Sequence, residues 1–422
     1  MVTSRAASGN RRRERPRPRA MPRQFGMKLA ELRAVAHYGF PFSLRRPRAP
    51  VARLRALGFR RRFSGRSRLK RLLGRAALTM TWPVGALFDA LRDTRALAAE
   101  DPPAPFFRTL SDMYRLALGH NIPPIEYRCY RFHDPARRAE MHQYLYWNDL
   151  PALAALNARR GADPRDVQDK HRFAEICARH ELPHVETLAV FDRGRQLTPD
   201  RSFVPDGPRL FEKNLRGKGS MGAERWIRDG GDYRNPQGTA VPAARLADVL
   251  RRSDCIVQPC LDNQPALEPL TNGALACLRI VTGVDRAGAA EFIWAMLVLP
   301  FGTFKSSTGG IVCRVAPETG TLTRAMNLWT DRDVATHPDT GRALIGFRVP
   351  FWRESVALAS RAHALAFPRF TFLGWDVALT ESGPVLLETN AGWGALHHQM
   401  LEGPIGHTVF SRLVEEDLSG CA

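Results

Sequence analysis

Asp376, Glu388 and Asn390 fall within GWDVALTESGPVLLETNAGWG, residues 374–394, at a spacing that suits one antiparallel hairpin. Glu381-Ser382-Gly383 reads as a three-residue turn, with Gly383 in the left-handed position that such a loop needs. Pairing about Ser382 sets Asp376 opposite Glu388 and Gly374 opposite Asn390. Strand alternation then collects the three polar residues on one face and Trp375, Val377, Leu379, Val385 and Leu387 on the other. Directly opposed like charges destabilise a sheet, so something positive should lie nearby. Two carboxylates and one amide oxygen are hard donors, too few to enclose calcium. They suit Mg²⁺, which keeps waters and shares its other positions with phosphate oxygens. A solvated surface hairpin with ordinary acids is the plain alternative; Gly374, Gly392 and Gly394 favour a ligand by leaving room for one.

A magnesium nucleotide also needs cations and backbone amides around its phosphates, and candidates lie upstream. RLFEKNLRGKGSMGAERW reads as a strand ending near Lys213 and a loop holding Gly217, Gly219 and Gly222. Such a loop lets amides approach phosphate oxygens while Lys213 supplies a point charge, although a simple hairpin turn fits it too. It is not a GxxxxGK[ST] loop. Lys170 opens a predicted helix after an Asp169 cap. Arg279 sits mid-strand in LACLRIVTG, where a charge needs an anionic partner. In CIVQPCLD a strand runs into a linker, Gln258, Pro259, Cys260 and Leu261, whose free peptide groups could meet an adenine edge. Ser306, Ser307 and Thr308 beside Gly309 and Gly310, together with His397 and His398, are further acceptor-side candidates; a plain turn and core histidines are the simpler readings.

Positioning these residues requires an α+β body. The helix from Asp169 runs through HRFAEICARH and stops by Pro183. Short strands alternate with turns after it: HVETLAVF, RLFEKN, CIVQPCL, LACLRIVTG, AEFIWAMLVLP, GIVCRVA, FTFLGWDVAL and PVLLETN. Residues 82–157 show mostly helical periodicity. AALTMTWPVGALFDAL, residues 76–91, is too short and too interrupted by Pro83 and Asp89 to span a bilayer; it reads as a packed helical pair, with an interfacial anchor as the other reading.

The net charge of +20 is localised: residues 1–75 hold 23 Lys and Arg against two acids, Glu14 and Glu31, and the rest is balanced. The first 25 residues are too charged and Pro-rich to order. Apolar residues recur among arginines from Met27 to Leu73, suggesting basic amphipathic helices. Those helices either pack on the body or meet an anionic membrane or nucleic acid; no stacked aromatic pattern or nucleic-acid motif favours the last. The seven cysteines are scattered, with no CxxC pair, which suits a reducing cytoplasm and no structural zinc.

The order of these features resembles the ATP-grasp superfamily: a lysine, a strand lysine with a Gly-rich loop, a strand running into a linker, then D…ExN on a late hairpin. DKHRFAEICARHELP, FEKNLRGKGSMG, CIVQPCLDNQPAL, LRIVTG, HPDTGRALIGFRVPFW and GWDVAL…GPVLLETN are similar to its sugar-transfer-associated, alpha-L-glutamate-ligase-related branch, over about Leu150 to Gly406. The resemblance implies two α+β lobes clasping ATP, a small lobe at 166–260 and a large lobe at 261–418. A basic arm (1–25), basic amphipathic helices (26–75) and a helical subdomain (76–165) would precede them. It implies that Lys170 and Lys213 contact nucleotide phosphates under a loop from Gly217 through Gly219 to Gly222. Gln258, Pro259, Cys260 and Leu261 would line the adenine, and Asp376, Glu388 and Asn390 would hold one or two Mg²⁺. Arg279 would be the catalytic cation, facing the transferred phosphate or the acceptor carboxylate. Two positions depart from the pattern: Gly374 stands where many such ligases have Arg two residues before the metal Asp, and the linker has Gln-Pro-Cys in place of an acid.

The implied reaction is ADP-forming ligation of a carboxylate to an amine, in polysaccharide or cell-surface modification. A kinase acting on a hydroxyl shares every nucleotide residue and is the alternative; a membrane- or nucleic-acid-binding protein with a vestigial ATP site is the second. The expected location is cytoplasmic, with the basic region at the inner membrane surface.

Overall fold

The computed structural model describes residues 49–62, 67–100, 105–217, 223–302, 310–328 and 330–419. The arm expected at 1–25, the rest of the basic region before Ala49, Gly219, Gly222, Ser306, Ser307, Thr308, Gly309 and Cys421 lie outside the described residues.

Two antiparallel sheets organise the body. The smaller comprises β1 (Ala189–Asp192), β2 (Arg195–Thr198), β3 (Arg209–Asn214), β4 (Glu224–Asp229), β5 (Asp232–Arg234), β6 (Ala240–Pro242) and β7 (Cys255–Pro259), ordered β2-β1-β7-β3-β4-β5-β6. The larger comprises β8 (Cys277–Val284), β9 (Ala290–Leu299), β10 (Ile311–Val315), β11 (Leu322–Asn327), β12 (Arg332–Asp333), β13 (Phe372–Thr380) and β14 (Gly383–Asn390), ordered β12-β11-β10-β9-β8-β13-β14. This mixed architecture matches the α+β expectation. The strands missing from the sequence reading, β2, β4–β6, β11 and β12, are polar or very short, so alternation gives them little signal.

Among the described residues the α-helices of six residues or more are α1 (Pro50–Arg62), α2 (Arg68–Glu100), α3 (Phe106–His120), α4 (Pro124–Cys129), α5 (Leu150–Arg159), α6 (Lys170–Arg179), α7 (Ala243–Leu250), α8 (Trp352–Ala366), α9 (Leu396–Glu402) and α10 (Phe410–Ser419). Residues 76–91 are not a helical pair: α2 runs unbroken through Pro83. Proline removes one backbone donor there. Leu78, Trp82, Ala86 and Ala90 recur at four-residue steps and are all buried, which holds the helix together across that gap.

The large sheet packs apolar side chains on both sides. Leu278, Ile280, Leu297, Cys313 and Trp375 face one way, against α8 and the buried face of α6. Val281, Trp294 and Phe372 face the other, against α1, α5 and α10, with the Phe410 ring 4.3 Å from Phe372. α1 therefore packs on the body through Val51 and Leu54, the first of the two readings of the basic helices.

A buried polar chain ties α8 to the sheet. Trp375 Nε1 donates to Thr282 Oγ1 at 2.8 Å, and Thr282 lies 2.7 Å from His363 Nδ1. His363 Nε2 lies 2.9 Å from the Phe370 carbonyl, which can only accept, so Nε2 carries the proton and Nδ1 accepts from the threonine. Burial pushes the imidazolium pKa down from 6.5 to about 3. A base with a depressed folded pKa takes up a proton on unfolding, so its contribution is intact above about pH 6.5 and is lost as pH falls toward 3. Denaturant unfolding should show stability declining from neutral to mildly acidic pH, with a shallower decline in His363→Gln.

The late hairpin differs from its sequence reading in one instructive way. Thr380 pairs with Gly383, so the turn has two central residues, Glu381 and Ser382, and not three. Gly383 still takes a left-handed φ of +123°. The missing residue reappears as a bulge at Leu387: Val377 pairs with Leu386, whereas Asp376 pairs with Glu388 and Gly374 with Asn390. The two differences cancel at the polar residues, and below the bulge Leu386, not Val385 or Leu387, enters the core.

Candidate functional site

Three adjacent strands build one row of charge. Asp376 on β13 lies between Glu388 on β14 and Arg279 on β8, each directly opposite it. Arg279 grips Asp376 with both arms, Nε to Oδ1 at 2.7 Å and Nη2 to Oδ2 at 2.9 Å. Asp376 is buried, and its charge raises the arginine pKa above its ordinary value. The positive partner required by the opposed carboxylates is therefore a neighbouring strand residue. Arg279, expected to face the transferred phosphate or the acceptor carboxylate, is held along one edge by the aspartate.

Glu388 is held loosely. Its Oε2 is 4.0 Å from Lys170 Nζ, and its Oε1 accepts from Asn390 Nδ2 at 3.3 Å. Lys170 is placed by the N-terminus of α6, where Asp169 accepts from the backbone amides of His171 and Arg172. Its own amide donates to Leu215 O at 3.2 Å and its Nζ to Gly217 O at 3.1 Å, tying the helix start to the loop after β3. Lys213, at the end of β3, is half-buried. Loss of solvent lowers its pKa, with the Glu388 carboxylate opposing that shift.

The face of the small sheet carrying Lys213 also carries Phe211, Ile256, Gln258 and Val190, because Lys213 pairs with Ile256, Phe211 with Gln258 and Val190 with Ile256. Gln258 is buried. Pro259 is opposite Leu210, and Cys260 donates its amide to Arg209 O at 3.2 Å, extending the pairing into the linker that continues through Leu261. An apolar strip ending in a lysine and an open strand end is the surface a base and its phosphates would need.

The structure thus brings together Lys170, Lys213, Glu388, Asp376, Arg279 and Asn390, with Gly217 on the same loop and Gln258, Pro259, Cys260 and Leu261 beside them on β7 and its linker. Of the three hairpin glycines read as leaving room, Gly392 opens onto free space, Gly394 meets a neighbour at contact distance, and Gly374 has no room. A Cβ on Gly374 would sit 2.6 Å from Trp393 Cβ, and one on Gly394 would sit 3.5 Å from the Trp147 ring. Trp393 fills the space at position 374 and explains why it carries glycine in this chain. His398 is a core residue, stacked on Trp294 at 5.2 Å and driven by burial to a pKa of about 3; burial takes His397 to about 4.

The sequence reading missed Arg314 and Glu402. Arg279 pairs with Met296, and Met296 with Arg314, so the row of charge continues across β9 to β10. Arg314 Nε lies 3.6 Å from Glu402, whose carboxyl is pushed up by burial to about 7. The signal was present, since Arg314 stands mid-strand among apolar residues in GIVCRVA just as Arg279 does in LACLRIVTG.

Among the described residues no group of three or more His, Cys, Asp or Glu side chains could hold a metal ion. The donor set of the hairpin is smaller and mixed, two carboxylates and one amide on paired strands. Hard oxygen donors completed by water and phosphate are what Mg²⁺ accepts, so these residues fit it.

Comparison with solved structures finds likeness to an L-amino acid ligase from Bacillus licheniformis (12% identity over 60% of this chain and 48% of that one, TM-score 0.35). It also finds D-alanyl-alanine synthetase A from Vibrio cholerae (14%, 60% and 65%, 0.36) and N5-carboxyaminoimidazole ribonucleotide synthetase from Thermotoga maritima (11%, 64% and 56%, 0.35). The chain spans between 48% and 65% of the length of these three. No curated protein matches it. The model of one family, described as sugar-transfer-associated ATP-grasp, matches residues 154–413, from α5 to the last helix and through every residue of the charged row. That match covers more than half of the chain, which therefore belongs to the sugar-transfer-associated ATP-grasp family.

Proposed function

We propose that the protein is a Mg-ATP-dependent ligase that activates a carboxylate as an acyl phosphate and joins it to an amine. The observation that carries this reading is the meeting of two lysines from the small sheet and α6 with the Glu388–Asp376–Arg279 row of the large sheet. Asp376, Glu388 and Asn390 would hold Mg²⁺, which when bound neutralises charge on the β- and γ-phosphates.

Lys213 and Lys170 bring positive charge to the phosphates from the opposite side. Lys213 does so from a poorly solvated position, where its charge is screened least. Arg279 fixes the orientation of Asp376 through two hydrogen bonds and leaves Nη1 for an incoming oxyanion. An acceptor carboxylate oxygen attacks the γ-phosphorus and ADP departs with the bond electrons. The amine then attacks the acyl carbon, phosphate leaves, and the amine proton is released. Arg314, farther along the same sheet face, and Glu402, which meets it from α9, are the proposed acceptor wall. The family's link to sugar transfer supports a substrate from polysaccharide or cell-surface modification, and free thiols at the described cysteines suit a reducing cytoplasm.

The test is an ADP-release screen over amino acids and sugar acids, each with and without an amine. Release that requires both partners is the expected result. Release with a hydroxyl acceptor alone would make the protein a kinase and overturn the ligase reading.

A further inference from the structure

Helix α2 has two apolar faces, and only one is covered. Leu78, Trp82, Ala86, Ala90 and Leu97 are buried against the body. Leu69, Leu72, Leu73, Met80, Val84 and Phe88 are exposed, from 57% at Val84 to 76% at Met80. At 100° per residue the exposed set falls in one band about 160° wide. From Leu69 to Phe88 it runs about 28 Å along the axis. Monomeric proteins seldom expose a continuous apolar stripe of that size without a partner for it.

The charges say which partner. Arg68, Lys70, Arg71 and Arg75 occupy the first turns of α2, and no Asp or Glu lies between Arg68 and Phe88. The first acid, Asp89, is paired with Arg92 at 2.8 Å. Cations at a helix N-terminus add to the positive end of its dipole and destabilise it unless an anion meets them. From Ser67 to Ala77 every residue except Gly74 is exposed, so this basic end stands clear of the body. No described helix is long and apolar enough to cross a membrane.

We propose that α2 lies in the plane of an anionic lipid surface, its stripe turned toward the acyl boundary, with Lys70 at the stripe's edge and Arg68 and Arg75 on its flanks reaching headgroups while Arg71 points away. Long basic side chains can do this while their stems stay against apolar surface. The proposal is independent of the catalytic reading.

The test floats the full chain with phosphatidylcholine vesicles containing phosphatidylglycerol, and with pure phosphatidylcholine as control. Wild-type protein should partition onto the anionic vesicles only. Combining Leu69→Ser, Leu72→Ser and Leu73→Ser should weaken that partitioning at least about tenfold, with unchanged melting because all three side chains are exposed. Equal flotation of the serine variant and wild type would assign binding to another segment and overturn the proposal, as would failure of wild type to float. Light scattering without lipid gives the other reading: a dimer that the serine changes convert to monomer would show that the stripe belongs to a second copy. Changing the four basic residues to Gln should also abolish flotation; loss of duplex DNA binding with flotation intact would point to nucleic acid instead.

Discussion

Glu388→Gln is expected to lower ATP-dependent ADP release by about a hundredfold or more while leaving the melting temperature close to that of wild type. The substitution keeps size and hydrogen-bonding capacity and removes one charge. Little in the fold depends on that charge, since Lys170 is 4.0 Å away and the Asn390 amide donates to the carboxylate at a long 3.3 Å. Mg²⁺-dependent nucleotide binding, followed by calorimetry, should weaken in parallel. A well-folded Gln variant that binds Mg-ATP and releases ADP like wild type would sink the metal site. Asp376→Asn is a poorer probe. It also breaks the two-armed contact with Arg279 and leaves that guanidinium without its counter-charge, a loss of about 3 kcal/mol at sites of this kind, so inactivity there would not separate chemistry from folding.

Asp149→Ala should produce the largest loss of stability, about 3–5 kcal/mol, because it strands a buried arginine. Asp149 is fully buried and takes Arg55 Nε at 2.9 Å on one oxygen and Nη2 at 3.1 Å on the other; the second oxygen also accepts the Tyr146 amide at 2.9 Å. The guanidinium lies 4.5 Å from the centre of the Tyr146 ring. This pair joins α1 to residues 144–149, and those residues hold the loop that follows β14. Trp147 lies against Gly394, and Leu145 exchanges hydrogen bonds with the buried Gln399 side chain at 2.8 Å in both directions. Guanidinium unfolding checks the size of the effect. Replacing both partners with apolar residues, Arg55→Met with Asp149→Leu, should recover most of the stability, because no charge is then left buried alone. A double variant as unstable as Asp149→Ala would show that shape, and not charge, holds α1 in place.

Local pattern carried most of what was legible. Strand alternation, the Asp169 cap and the turn glycine are properties of neighbouring residues, so the hairpin pairing of Asp376 with Glu388 and the start of α6 at Lys170 could be read directly. The hairpin reading reached the right partners by a wrong turn, since a bulge at Leu387 replaces the third turn residue. Bulges have no reliable sequence signature, because backbone twist and packing against neighbouring strands decide them.

Charges between distant segments were not legible. Arg279 could be recognised as needing an anion, but only strand order shows that Asp376, 97 residues away, is one beside it. Likewise nothing near Gly374 announces that Trp393 will occupy its space, or that Arg55 in a basic run will be buried against Asp149. The sequence by itself determined the family, the mixed α+β class and the residue types of the proposed nucleotide site, because these rest on short-range spacing. Which charges meet, which glycines are filled and which apolar face of α2 stays open were decided only by the tertiary structure, because each depends on surfaces brought together from far along the chain.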